Sequence, residues 1–400
     1  MSTISKPDNE KQISSKRYGA EERMENARIG NAEEGLFPFS FSLDRIRRAD
    51  GALYSELLKI LLSDRSRKRN IIWATDAYEG RDWSSPICQN AVSAIRPRAF
   101  KEDTEKQARV KTHAEVFTPF EIVSRMTKVL WEDSEGHDKT YLEISCGEAP
   151  FITSRYDAAT GIPVPLQDRV GILDRKLQEG SKTAEDDEDW MEKTEAALKS
   201  VYGYEFQGDS LFIARTNVLD AFLENFEMRF HRACDRDLLL KEANIVSWNF
   251  WQMDGRTQSP PAKGKARAAN DLFNDNPPCR IRFWNQSRSM PFSNVKLEEG
   301  RGMKHFYAVI GNPPYNEESK SNDNHPSYPQ FIDESKKVAD KVELIVPAKF
   351  LTDSSDANSK WSVETREDPH FNILELGEAN NYFPNEDINL KGGGMHLSLG

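Results

Sequence analysis

Thr140-Tyr141-Leu142-Glu143-Ile144 runs straight into Ser145-Cys146-Gly147-Glu148-Ala149. The first five residues read as a short strand. The next five are small or polar, a turn that lets backbone approach a ligand closely. Strand-like runs recur downstream. Val201-Tyr202-Gly203-Tyr204-Glu205 precedes a helix through Leu211, Ala214, Val218 and Leu219, and Asn244-Ile245-Val246-Ser247-Trp248 reads as a third strand. Phe306 to Ile310 is a fourth, Phe331 to Val338 a helix, and Val342 to Val346 a fifth strand. Strand and helix in alternation predict an α/β fold, a mostly parallel sheet with helices on both faces.

Upstream, residues 1–31 are polar and aperiodic, the composition of a disordered lead. Residues 32–105 read as a helical and mixed N-terminal extension, with Leu53, Leu57, Ile60 and Leu61 on one helix face and Ile71 to Trp73 as a short strand. A second helix start follows. Thr118 has the chemistry of an N-cap, Pro119 suits the first helical position, and Glu121 supplies the acid of a capping box. Phe117 and Ile122 stand where a hydrophobic staple needs them. Residues 106–375 form the main domain. Within it Ala184 to Asp189 is an acidic loop or helix start, and 256–278, rich in Pro, Lys, Ala and Asn, reads as a long mobile loop.

The 400 residues carry a net charge of -11, which weighs against a polyanionic partner over the whole surface but not along one cleft. Two basic stretches, Arg65 to Arg69 and Lys263 to Arg267, read as solvated loops. Cys88, Cys146, Cys234 and Cys279 are scattered without a CxxC pair, so neither a disulfide framework nor a bound metal is expected. No apolar run approaches the roughly 18 residues of a membrane span, and the charged N-terminus lacks a signal-peptide core, so the expected compartment is the cytoplasm.

Ligands of open α/β sheets bind beyond the carboxyl ends of the strands. Glu143, Cys146 and Gly147 stand there after the first strand, and Glu205 after the second, where an acid would take both hydroxyls of a ribose. Asn249 and Asp254 follow the third and are candidates for an adenine ring. No GxGxxG or GxxxxGK[ST] is present to grip a polyphosphate. That pattern predicts a nucleoside without phosphates, and S-adenosylmethionine fits it.

The most specific element follows the fourth strand: Gly311-Asn312-Pro313-Pro314-Tyr315. Two prolines stiffen the backbone, so the Asn312 amide and the Pro313 carbonyl form a fixed pair of acceptors. A conjugated amino group is a poor nucleophile, and acceptors on both its hydrogens favour the tetrahedral nitrogen that attacks a methyl sulfonium. Tyr315 offers a flat face on which a flipped-out base can stack. Asn276-Pro277-Pro278 is a useful control: Cys279 follows it and no strand feeds it, so it reads as a turn.

These motifs resemble the γ-group of DNA adenine-N6 methyltransferases, specifically the restriction-modification type with an Eco57I-like methylase domain. The order Val116-Phe117-Thr118-Pro119, then Leu142 to Gly147, then Asn312 to Tyr315 is the family's. Leu344 to Leu351, Phe383 to Ile388 and Lys391-Gly392-Gly393 look like its later segments. The resemblance implies a Rossmann-like S-adenosylmethionine-dependent methyltransferase sheet acting on double-stranded DNA. Phe117, Thr118 and Pro119 would pack on the methionine end of the cofactor, which Glu143 and Gly147 would also line. Glu205 would hold the ribose, Asn249 the adenine with Asp254 as rival, and Asn312, Pro313, Pro314 and Tyr315 the target base. The family's usual proline after the first acid is Ile144 here, and a later glycine is Ala149. Residues 376–400 would begin a recognition region that the chain largely lacks, so recognition or restriction would reside in a partner subunit. The alternatives are an inactive truncated methylase that only binds cofactor or DNA, and a methyltransferase for protein glutamine amides.

Overall fold

A computed structural model describes residues 42–102, 118–132, 139–262, 277–286, 288–295, 305–315, 327–351, 359–378, 382–383 and 393–400. In chain order, helices α1 (Ser42–Ala49) and α2 (Gly51–Leu61) lead into the small hairpin β1 (Ser63–Asp64) and β2 (Arg69–Asn70). Helix α3 (Phe120–Glu132) precedes β3 (Tyr141–Ile144), α4 (Ile172–Thr183), α5 (Asp187–Lys199) and β4 (Val201–Glu205). Then come α6 (Gly208–Phe230), α7 (Arg236–Asn249), β5 (Phe250–Gln252) and the hairpin β6 (Arg280–Phe283) and β7 (Arg288–Pro291). The chain closes with β8 (Phe306–Gly311), α8 (Tyr328–Lys336), β9 (Ala339–Pro347), α9 (Lys360–Glu367), β10 (Phe371–Gly377) and β11 (Gly394–Leu399).

Seven strands form one sheet in the order β10-β11-β9-β8-β3-β4-β5. All neighbours from β9 to β5 pair in parallel, and β11 runs antiparallel to both β9 and β10. A parallel sheet must be covered on both faces, and β3 and β4 are buried at every residue. One face packs α3, α4, α6 and α7 in a core that also takes Leu57, Leu58 and Leu61 of α2. The other packs the β6–β7 hairpin, α8 and Phe350 against Leu142, Tyr202, Trp251 and Val309. The expected architecture is thus the observed one.

The N-terminal extension is pinned to this core by a buried cation. Arg215 of α6 donates to the carbonyls of Leu61 and Ser63 on one side and of Ser247 and Phe250 on the other. Burial holds its guanidinium down to about 9. Carbonyl dipoles from two segments replace the water it has lost.

Several expectations need correction. Asn244 to Trp248 lies in the last turns of α7, and the third strand begins at Phe250. Ile245 and Val246 are β-branched but pack as helix residues with Leu239 and Ala243, a tertiary choice that a short apolar run does not encode. Ile71 to Trp73 is extended, yet only Ile72 makes an isolated bridge, to Pro86. Gly394–Leu399, which falls in the stretch expected to open a recognition region, is β11, a strand of the main sheet between β9 and β10. Helix α3 takes its first hydrogen bond at Pro119, so Thr118 stands just outside it. Phe117 and residues 263–276 of the expected mobile loop lie outside the described residues, whereas Asp254 and Ser259 bridge across a tight turn. The acidic run does start a helix, with Asp186 accepting from the Asp189 N–H at its cap.

Candidate active site

The loop after β3 alternates into the left-handed region: Ser145, Gly147 and Ala149 have φ of 47°, 53° and 62°. Two of these carry a Cβ, a local strain of the kind found where a loop must hold a particular shape. Glu143 anchors the loop from below, its carboxylate accepting from the Ile152 N–H at 3.1 Å and the Phe151 N–H at 3.5 Å. Burial pushes the Glu143 carboxyl well above the ordinary range; the two N–H groups oppose this and Glu205 adds to it. Cys146 is buried, its N–H on the Tyr204 carbonyl at 2.9 Å and its thiol pushed up by burial, so it packs rather than reacts.

Glu205, at the end of β4, joins this loop directly. It accepts from the Gly147 N–H at 2.8 Å and from the Gln207 N–H at 3.0 Å. An ionised carboxylate has about four lone-pair sites, and these two N–H groups take up two of them. Gly203 permits the approach of β4 to β5, since a Cβ there would stand 2.8 Å from the Phe250 ring.

The second half of the site follows β8. Gly311 is in register with Ile144, so Asn312 leaves the sheet beside Ser145. A Cβ on Gly311 would stand 2.7 Å from both the Ile144 carbonyl oxygen and its Cγ1, which explains a glycine in an otherwise apolar strand. Asn312 Nδ2 donates to Thr118 Oγ1 at 3.4 Å, bringing together motifs 194 residues apart. The Ser327 hydroxyl braces the loop on the Pro314 carbonyl at 2.5 Å, and the Ser327 N–H on that of Tyr315 at 3.2 Å. Tyr315 itself is buried against the core that holds Tyr382 and Phe383, and it donates to Asn312 Oδ1 at 2.6 Å. The expected open stacking face is therefore folded in.

Thr118, Pro119, Glu143, Cys146, Gly147, Glu205 and Asn312 to Tyr315 all gather at the carboxyl edge of β3, β4 and β8. Asp254 reaches the same end, two residues past β5, where the preceding Met253 N–H donates to the Glu205 carbonyl. Asn249 does not. It precedes β5, its amide donates to the Leu198 and Val201 carbonyls, and its oxygen accepts from the Trp284 indole. Five extended residues, about 16 Å, separate it from Asp254. Asn249 ties α7 to the amino ends of the strands, and the misplaced strand explains the error.

Phe206 and Gln252 stand at the same end of β4 and β5 without having been singled out from the sequence. Phe206 is a half-buried aromatic directly after the ribose-candidate acid, and that adjacency was the available signal. Gln252 looks like any strand residue, and only its tertiary partners mark it.

Residues 199–383 match the family model described as Eco57I restriction-modification methylase. No curated protein matches the chain. Among solved structures the chain is similar to the DrdV–DNA complex (14% identity, TM-score 0.40, 78% of this chain and 29% of that one). It is also similar to the Type ISP restriction-modification enzyme LlaGI with a DNA substrate mimic (12%, 0.41, 99% and 35%). A third similarity is to the ATP-dependent Type ISP enzyme LlaBIII bound to DNA (12%, 0.40, 95% and 28%). The chain thus spans about a third of the length of these proteins. The likeness to the Eco57I restriction-modification methylase family covers residues 199–383 of the 400.

Proposed function

We propose that this protein transfers the methyl group of S-adenosylmethionine to the N6 amino group of an adenine flipped out of double-stranded DNA, within a restriction-modification system. The observation that carries the reading is the register of Ile144 with Gly311. It sets the loop suited to hold an amino group beside the loop suited to hold a nucleoside.

The residues fit that cofactor in what they offer and in what they withhold. Glu205 is an acid of the kind that takes ribose hydroxyls, and Asp254 stands where the base would lie. Helix α6 begins beside Glu205, but its Gly208 N–H is bound to the Trp73 carbonyl at 2.9 Å and its next residue is Asp209. A polyphosphate would need those N–H groups and no acid. When bound, the cofactor supplies an electrophilic methyl group on a sulfonium.

Asn312 Oδ1 and the Pro313 carbonyl then accept the two hydrogens of the target amino group and tilt its nitrogen lone pair towards that methyl. Thr118 Oγ1 fixes the Asn312 amide so that its oxygen, not its nitrogen, faces the target. Ser327 keeps the Pro314 and Tyr315 carbonyls, and with them the loop, from turning. Tyr315, once its hydroxyl leaves Asn312, presents its ring to the extruded base, and stacking offsets part of the unstacking cost of about a few kcal/mol. Recognition of the DNA sequence, or cleavage, is assigned to a partner subunit or further region.

The test is incubation of the protein with tritiated S-adenosylmethionine and a random DNA pool, followed by sequencing with modified-base detection. The expected result is N6-methyladenine in the pool. Label in protein glutamine, or in no acceptor at all, would sink the reading.

A further inference from the structure

Residues 63–102 carry no chemistry legible in the sequence, yet they lie across the carboxyl ends of β4 and β5. Ile72 pairs with a side chain as if it were a strand: its N–H donates to Gln252 Oε1 at 2.9 Å, and Gln252 Nε2 returns a bond to the Ile72 carbonyl at 2.8 Å. The same Nε2 donates to the Phe206 carbonyl at 2.9 Å. Gly208 is pressed so close that a Cβ would stand 2.0 Å from the Ile72 carbonyl oxygen. Trp83 meets Phe206 edge-on, with ring centroids 5.9 Å apart at 63°.

Two further contacts fix the start of α6 from the same segment. The Tyr78 hydroxyl and the Lys101 ammonium both reach Asp209 Oδ2, at 2.9 and 3.1 Å. On the other side of the crevice the Arg98 N–H donates to Glu148 Oε1 at 2.6 Å, one residue from the Gly147 N–H that Glu205 holds. The extension thus grips both members of the Gly147–Glu205 pair through their neighbours. Its features are costly for a mere cover. The Lys101–Asp209 pair is fully desolvated, and buried Ala74 is held left-handed at a φ of 50°.

We propose that the N-terminal extension is a working part of the methyl-donor site: Trp83 positions Phe206, whose remaining open surface forms the wall against which the nucleoside end of the cofactor packs. The inference rests on the proposed function and deepens it. The base must extend from a ribose held at Glu205, and Phe206 is the first side chain beyond that acid. Trp83 is a positioning residue that acts through Phe206, and the extension is the means by which it is delivered.

The test is calorimetric titration of the full chain with S-adenosylhomocysteine, in the wild type and in Trp83→Leu, Trp83→Phe and Phe206→Leu. Edge-on aromatic pairs are worth enough that Trp83→Leu should raise Kd roughly fivefold, with Trp83→Phe recovering most of the loss. KM for the cofactor should rise by the same factor while kcat moves less than about twofold, a split that general destabilisation would not give. Unchanged Kd in Trp83→Leu, or equal loss in Trp83→Phe, overturns the proposal. If Trp83→Leu does not fold, Phe206→Leu decides: binding as tight as wild type overturns it. Failure of the wild type to bind would instead strike the methyl-donor reading itself, and this inference with it.

Discussion

The hydroxyl of Tyr315 donates to Oδ1 of Asn312 across 2.6 Å, and the tyrosine ring is buried beneath the loop that carries both. The oxygen best placed to accept a hydrogen from a target amino group is therefore engaged by the chain itself. Admission of a base requires that contact to open, at a cost of about 1 kcal/mol for a neutral hydrogen bond. Removal of the hydroxyl alone keeps the ring and frees the acceptor. Tyr315→Phe should match the wild-type single-turnover rate or exceed it by up to about fivefold, the factor that bond is worth. Tyr315→Ala should lose at least roughly tenfold, because stacking is lost. Equal losses in both variants would remove the acceptor role from Asn312.

Asn312→Ala takes away the acceptor outright. Donors and acceptors aimed at a transition state contribute about 3 kcal/mol each, so methyl transfer should fall at least 100-fold, roughly, with cofactor Kd nearly unchanged. Thr118→Val preserves shape but leaves the Asn312 Nδ2 without its 3.4 Å partner. A loss near fivefold in rate, about 1 kcal/mol, is expected there. Retained methylation in Asn312→Ala would discard the mechanism.

Chemical denaturation can test the two backbone constraints. Gly311→Ala forces a methyl against Ile144 and should destabilise by about 1–3 kcal/mol through overpacking. Ala149→Gly removes a Cβ from a left-handed residue and should stabilise by up to about 1 kcal/mol. A Gly311→Ala variant as stable as wild type would show that β8 can move away from β3.

Glu242 is buried in α7 with neither carboxyl oxygen hydrogen-bonded among the described residues. Burial, reinforced by Glu195, raises its carboxyl from 4.5 to about 7 in the folded chain. The folded state prefers the protonated form, so the stability tied to this group is whole below 4.5. It drains away as pH rises towards 7 and is absent above that. Unfolding free energy should fall over that window, and Glu242→Gln should be more stable than wild type at pH 8 by roughly 2 kcal/mol. Identical pH profiles for the two proteins would exclude this origin.

On the proposed function, Glu143 should link cofactor binding to pH in the opposite sense. Its carboxyl is held well above the ordinary range by burial in the free protein. A sulfonium or ammonium group brought close favours the carboxylate, so binding should release a proton and tighten as pH rises. Titrations in buffers of different ionisation enthalpy read the proton directly. Uptake, or no exchange at all, would separate Glu143 from the cofactor's charge.

The alternation of strand and helix, the acid at Glu205 and the loop from Asn312 to Tyr315 were legible because each depends on residues adjacent in sequence. Periodicity reports burial of a strand, and Pro313-Pro314 stiffens the backbone wherever it lies. Tertiary structure alone decided the rest. Asn249 was lost from the site because Ile245 and Val246 suit helix or strand, and packing with Leu239 and Ala243 chose helix. β11 enters the sheet between strands that the sequence lists before it, a pairing no local pattern encodes. The distance between Thr118 and Asn312, the inward turn of Tyr315 and the grip of the extension on Phe206 are long-range contacts. They are set by which faces the sheet must bury, and so they exist only once the chain has folded.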